Sequence, residues 1–471
     1  MLTLADVIEA LTNIRPPLAD TIVTEAAVDS RQVIPGGLFV AIPGERVDGH
    51  AFVGEAFRRG ATLALVQHEL AEPFSVLDLR KGFNPESLSA VETPLCIYVE
   101  DTLAALQKIA WYWRRKLDLR VVGITGSVGK STTKEIVAEV LERRYRTLKS
   151  PGNLNNEIGL PLTILRLGSG YERAVLEMGF YVPGEITLLC DIALPDIGVV
   201  TNIGTVHAER AGSQEAIFEG KSELVQALPA DGVAILNYDD PLVKKMAERT
   251  RARVLFYGLS PEADIWVDEV TGLGLEGVRF RVHHGKDNFY VRVPMIGQHS
   301  VHTALRAAAV GLADGMTWQE IIAGLQESTS QLRLVAVRSA SGAMLLDDTY
   351  NASPESTLAA LNLLAELDGV KVAVLGDMLE LGQYEKHGHE IVGIRAAQVA
   401  ERLISVGARG HMIADAARKA GLKPSAITEC DTADEAIEVL QGSLGERDVV
   451  LVKGSRGVCM DRIISAIEER S

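Results

Sequence analysis

The sequence predicts an α/β protein of several domains, built on mostly parallel sheets covered by helices. Three observations predict it. Short apolar segments alternate with segments of helical periodicity along most of the chain, the pattern of βα units. At residues 120–144 an apolar strand runs into a Gly-rich turn and then into a helix. The chain has 471 residues, more than one hydrophobic core usually serves.

The elements follow in order. Residues 38–42 read as a strand ended by Pro43-Gly44, 52–59 as a helix and 63–66 as the next strand, a small α/β unit in residues 1–100. A helix over 102–116 opens a second unit, residues 101–328. It continues with the strand 120–124, the helix 131–144, and strands at 174–177, 197–201 and 233–236. Residues 264–270, 278–283 and 289–293 alternate apolar with polar residues, which predicts an antiparallel meander beside the main sheet. An Ala-rich helix over 301–312 follows. The polar stretch 327–331 reads as a linker. Residues 329–471 then carry strands near 343–347, 371–375, 402–406 and 448–452 with helices between, a doubly wound, Rossmann-like domain.

Composition excludes some functions. Hydrophobic residues make up 47% and charged residues 23%, ordinary for a folded globular chain. The net charge of −16 argues against nucleic-acid partners and anionic membrane surfaces. Cys96, Cys190, Cys430 and Cys459 lie far apart, so they suggest free thiols in a reducing, cytoplasmic setting. The N-terminus lacks the basic start and apolar run of a signal peptide. No run of about 18 apolar residues predicts a membrane helix.

The Gly-rich turn carries the chemistry. In Thr125-Gly126-Ser127-Val128-Gly129-Lys130-Ser131-Thr132, small residues let backbone N–H groups close around phosphate oxygens. Lys130 is placed to reach the β- and γ-phosphates, and the Ser131 hydroxyl to ligate Mg²⁺. The longer GxxxxGK[ST] spacing is departed from, because Ile124 stands at its first glycine. Kinases, GTPases and ligases all use such loops, so the loop alone names no reaction.

TGSVGKSTTK resembles the phosphate loop of the Mur ligase family. Further motifs similar to that family follow in its order: Asn153-Leu154-Asn155-Asn156, Leu176-Glu177-Met178-Gly179, Thr201-Asn202 through His207, and Asp347-Asp348-Thr349-Tyr350-Asn351-Ala352-Ser353-Pro354. Gly376-Asp377-Met378-Leu379-Glu380-Leu381-Gly382, Lys453-Gly454-Ser455-Arg456, and Asp29-Ser30-Arg31 with Asp48-Gly49-His50 complete the set. The resemblance spans residues 28–461. It is strongest to members that add D-alanyl-D-alanine to UDP-N-acetylmuramoyl-tripeptide (UDP-MurNAc-tripeptide) in peptidoglycan synthesis.

The resemblance implies the three-domain Mur ligase architecture and an ATP-dependent, two-step amide ligation through an acyl phosphate. It implies that Thr125, Gly126, Ser127, Gly129, Lys130, Ser131 and Thr132 hold ATP, and that Ser131 and Glu177 hold Mg²⁺. His207 and a carbamate on Lys221 would hold a second Mg²⁺. Thr303 would meet the adenine, Arg333 a phosphate and Asp348 the ribose. Asp29, Ser30 and Arg31 would contact the uridine end of the substrate. Asn153, Asn155 and Asn156 would line the channel between domains, and Tyr350 and Asn351 would shape the dipeptide side. For Lys221 the residues add an argument of their own. A helical lysine paired with a carboxylate needs spacings of three or four. Those positions hold Ile217, Phe218, Leu224 and Val225, an apolar face that favours the neutral amine CO₂ requires.

One stretch departs from the family pattern. In Gly297-Gln298-His299-Ser300-Val301-His302-Thr303-Ala304, Ser300 and Thr303 replace two asparagines. Adenine selection is therefore the loosest part of the comparison. A ligase for another amino acid, a folylpolyglutamate synthase-like enzyme and a P-loop kinase are the competing readings. The DDTYNASP and GDMLELG stretches favour the dipeptide. A monomer is expected.

Overall fold

The computed structural model describes residues 1–17, 20–44, 47–70, 74–84, 93–205, 208–327 and 335–468. His207 and Arg333 therefore lie outside the described residues.

Three sheets organise the chain. The first has five parallel strands, in the order Ala26–Ala27, Leu38–Val40, Leu63–Val66, Leu95–Tyr98 and Ser75–Asp78. Its central strands are buried on both faces, which is why they read as unbroken apolar runs. Helix Thr102–Arg115 leads to the second sheet. Its first turn is satisfied by the Asp101 carboxylate, which accepts from the Ala104 N–H at 2.9 Å.

The second sheet has nine strands. From one edge they run Thr147–Lys149, Arg173–Glu177, Arg120–Thr125, Ile197–Val200, Val233–Asn237, Arg253–Gly258, Ile265–Gly272, Val278–His284 and Asp287–Val293. The first seven are parallel, and only the last two pairings are antiparallel. The meander expected beside the main sheet is continuous with it. Ile265–Gly272 pairs in parallel with Arg253–Gly258 through Tyr257 and Gly258, so one strand is shared by both parts. The short, half-buried edge strand Thr147–Lys149 has too few apolar residues to be read from sequence.

The third sheet runs Val335–Arg338, Met344–Asp348, Asp448–Lys453, Val370–Gly376, Arg402–Val406 and Ile427–Cys430. All its pairs are parallel except the first. Helix Pro354–Glu366 starts on a capping box from Ser353, with proline in its first turn.

Candidate nucleotide and ligation site

Register places the chemistry. In the second sheet Ile124 lies opposite Glu177, and Thr125 opposite Val200. Three adjacent parallel strands thus end together, and the phosphate loop, Glu177 and the 201–205 segment leave from one edge. Gly126, at φ +145°, presses against Thr201: a Cβ there would sit 1.8 Å from the Thr201 hydroxyl. Gly129, at φ +82°, caps helix Lys130–Leu141 in the left-handed region. The loop's shape therefore demands glycine at both places.

Asn202 braces the loop. Its side-chain carbonyl accepts from the Val128 N–H at 2.8 Å and the Ser127 N–H at 3.2 Å, and its backbone carbonyl accepts from the Ser127 N–H at 3.0 Å. Ser127 Oγ accepts from the Gly204 N–H at 2.9 Å. Thr125 Oγ1 donates to the Met178 carbonyl at 3.0 Å. Thr132 lies in the first turn of the loop's helix, where backbone N–H groups have no intrahelical acceptor.

Two lysines meet on one oxygen. Lys130 Nζ donates to the Gly126 carbonyl at 2.9 Å, and Lys221 Nζ donates to the same carbonyl at 3.0 Å. Lys221 is fully buried on helix Gln214–Gln226, 4.9 Å from the centre of the Phe180 ring. Burial pushes its amine well below the usual lysine range, and the nearby Lys130 charge pushes the same way.

Glu177 is 2% exposed, and both of its carboxylate oxygens accept hydrogen bonds. Ser131 Oγ donates to one at 2.7 Å, and Asn155 Nδ2 to the other at 2.8 Å. A hydroxyl and a carboxylate side by side are hard oxygen donors that suit Mg²⁺. Asn155 is the asparagine of its motif that reaches this centre. Asn156 Oδ1 accepts from the Gly159 N–H at 2.9 Å and starts the next helix, while the Asn153 side chain is exposed.

Thr303 lies on helix Val301–Ala313, where its hydroxyl accepts from Arg306 Nη2 at 2.8 Å. In the third sheet Asp348 and Lys453 are register partners, and Lys453 Nζ donates to Asp348 Oδ2 at 2.6 Å and to the Asn351 carbonyl at 2.9 Å. Tyr350 and Asn351 follow on an exposed loop. Glu355, four residues beyond Asn351, accepts from the Thr205 N–H at 3.2 Å. The 201–205 segment thus touches the phosphate loop on one side and the third sheet's unit on the other. Asp29, Ser30 and Arg31 form a self-contained turn, in which Asp29 accepts from Arg31 Nη2 at 2.8 Å. Close by in the same unit, Asp48, His50, His68 and Phe74 line a surface cavity. His68 in that cavity belongs to no motif, so sequence reasoning had no signal for it.

Under Met378 in the GDMLELG stretch, the fully buried His389 donates from Nδ1 to the Glu385 carbonyl at 2.7 Å and accepts the Met378 N–H on Nε2 at 3.1 Å. This arrangement requires the neutral ring, and burial lowers its pKa below the ordinary 6.5. Between the lowered value and 6.5 the folded state binds fewer protons than the unfolded one, so stability rises with pH across that window. Melting curves should therefore show the midpoint falling as pH drops below 6.5. His389→Gln should flatten this dependence, and an unaltered slope in the variant would exclude His389 as its source.

Matches to known proteins agree with the three-part layout. The Mur ligase family, catalytic domain, matches residues 23–114, the Mur ligase middle domain 124–311, and the Mur ligase, glutamate ligase domain 332–456. A UDP-N-acetylmuramoyl-tripeptide–D-alanyl-D-alanine ligase of Bacillus subtilis is 34% identical over 458 residues, covering 96% of this chain and 95% of the relative. A crystal structure of MurF from Acinetobacter baumannii superposes with a TM-score of 0.83 at 29% identity, covering 98% and 97% of the two chains. MurF ligase from Thermotoga maritima, crystallised with ADP, gives 0.79 at 29% identity, over 95% and 97%. With family models matching all three units in order and a relative 34% identical over nearly the whole chain, the chain belongs to the Mur ligase family.

Proposed function

We propose that this chain is an ATP-dependent ligase that joins D-alanyl-D-alanine to UDP-MurNAc-tripeptide in peptidoglycan precursor synthesis. The observation that carries the reading is the near-complete relationship to ligases of that name. The phosphate loop, with two lysines and the Glu177 carboxylate gathered at one sheet edge, supports the chemistry.

Residues 1–100 would take the nucleotide end of the substrate through Asp29, Ser30 and Arg31. Residues 101–328 would bind ATP, and residues 329–471 would bring Arg333 and Asp348 to the nucleotide and Tyr350 and Asn351 to the dipeptide. The tripeptide's terminal carboxylate attacks the γ-phosphorus of ATP, forming an acyl phosphate and releasing ADP. The dipeptide amine then attacks the acyl carbon, loses a proton and expels inorganic phosphate. The first step brings two anions together, and Lys130 offsets that charge by turning from the Gly126 carbonyl to the phosphates. The loop's first-turn N–H groups, among them those of Ser131 and Thr132, hold the phosphates in place. Thr303 would face the base, and Asn153, Asn155 and Asn156 would border the passage between substrates.

Ser131 and Glu177 would hold one Mg²⁺, and His207 with Lys221 a second. Bound Mg²⁺ supplies charge neutralisation on the phosphates. For the second site Lys221 would carry a carbamate. CO₂ forms a bond to the neutral amine nitrogen, one amine proton leaves, and a neutral group becomes an anion. The burial and lowered pKa of Lys221 support this. No helix among the described residues is long and apolar enough to cross a membrane. We place the enzyme in the cytoplasm, where ATP is made, and as a monomer.

Phosphate release from ATP and Mg²⁺ tests the reading, with UDP-MurNAc-tripeptide and D-alanyl-D-alanine as substrates. D-Alanine, meso-diaminopimelate, and folate with glutamate serve as comparisons. Release with the dipeptide alone is expected. Release with another acceptor would move the substrate, and none with any would remove the ligase reading.

A further inference from the structure

One buried cation near the phosphate loop has no role in the site described above. Arg306 sits in the middle of helix Val301–Ala313, among Val301, Ala304, Leu305, Ala307, Ala308, Ala309 and Val310, all of them buried. Arg306 itself is 5% exposed. A guanidinium has five N–H donors and a permanent charge. Thr303 Oγ1 accepts from Nη2, and the Tyr257 hydroxyl stands beside the group. Nε has no hydrogen-bond partner, and no carboxylate bears on the group among the described residues. A charge this deep in an apolar helix face is costly unless an anion meets it.

The direction of the guanidinium says which anion. Both terminal nitrogens lie 3.6 Å from the point where a Cβ on Gly129 would stand. Gly129 is the residue that caps the phosphate loop's helix. The group therefore abuts the segment whose N–H groups receive phosphate, and its own hydroxyl partner, Thr303, is already engaged.

We propose that Arg306 is a nucleotide-binding residue that contacts a phosphate group of the bound nucleoside di- or triphosphate at the phosphate loop. It supplies a charge from the helix Val301–Ala313 side, in addition to that of Lys130. This rests on reading the loop as the ATP site, and it adds a contact that none of the motifs contains. The Gly129 side of the loop thereby gains a planar donor that can bind two phosphate oxygens at once.

Titration calorimetry of ADP and GDP into the whole chain with Mg²⁺ tests it, alongside thermal melts. Arg306→Met should weaken ADP by about tenfold to a hundredfold, the range of a charge-assisted hydrogen bond or two. GDP should weaken by the same factor, because the phosphates are shared. Arg306→Lys should recover part of the loss, and Arg306→Gln, which is polar but uncharged, replaces the methionine variant as the deciding measurement if that variant does not fold. ADP affinity within twofold of wild type in a folded variant would overturn the proposal. So would a changed preference between ADP and GDP, which would make Arg306 a reader of the base. A fall in melting midpoint with unchanged affinity would make it structural. Failure of the wild-type chain to bind ADP would overturn the reading of the loop itself rather than the role of Arg306.

Discussion

Lys221→Met is expected to lower turnover by about 10³-fold, the scale of losing one group that stabilises transition-state charge, while leaving the fold intact. The side chain is fully buried on a helix whose neighbouring residues Ile217, Phe218, Leu224 and Val225 are buried and apolar. Methionine has similar length and no charge, so it fits the space without stranding a donor. The Gly126 carbonyl keeps its bond from Lys130. What disappears is the amine that CO₂ would modify. Wild-type activity should accordingly fall when bicarbonate and CO₂ are stripped from the buffer and return when bicarbonate is added back. The variant should answer to neither treatment. Steady-state phosphate release under both conditions is the measurement. A Lys221→Met enzyme within tenfold of wild type would show that no carbamate is needed, and wild-type indifference to CO₂ would remove the modification while leaving the lysine its bond to the loop.

Glu177→Gln should cost about 10² to 10³ in turnover and shift the Mg²⁺ requirement upward. The glutamine amide fits the same bonds: its oxygen can accept from Asn155 Nδ2, and its NH₂ can donate to Ser131 Oγ. Packing and fold should survive, so the loss reads out the missing negative charge. Activity measured across a Mg²⁺ titration distinguishes the outcomes. A variant that regains wild-type turnover at high Mg²⁺ has lost metal affinity alone. A variant with an unshifted Mg²⁺ midpoint and full activity would remove Glu177 from the metal site.

Much of this was legible in the chain. The strand–loop–helix at residues 120–144 is a local pattern, since apolar alternation, glycine and helix start are all set by neighbours in sequence. The βα alternation announced parallel sheets for the same reason. Elements whose character comes from distant partners were harder to read. Thr147–Lys149 is a strand because Arg173–Glu177 lies beside it, and Arg253–Gly258 because it joins the parallel strands to the meander. Thr147–Lys149 carries too little local signal, whereas the apolar run Val254-Leu255-Phe256-Tyr257 was a strand signal left unread.

The site divides in the same way. Lys130, Ser131 and Glu177 could be named from spacing and motif, because a phosphate loop is contiguous and Glu177 ends a recognisable apolar strand. Only tertiary structure could decide that Glu177 receives Ser131 and Asn155 together, that Lys130 and Lys221 converge on one carbonyl, that Asn202 braces the loop, and that a buried arginine on helix Val301–Ala313 stands against Gly129. Sequence by itself determined which residue types stand in the Gly-rich turn and at the strand ends, because that is set by a side chain and its neighbours. Their charge states and partners depend on burial and on groups up to a hundred or more positions away, and those distances are closed only when the sheets assemble.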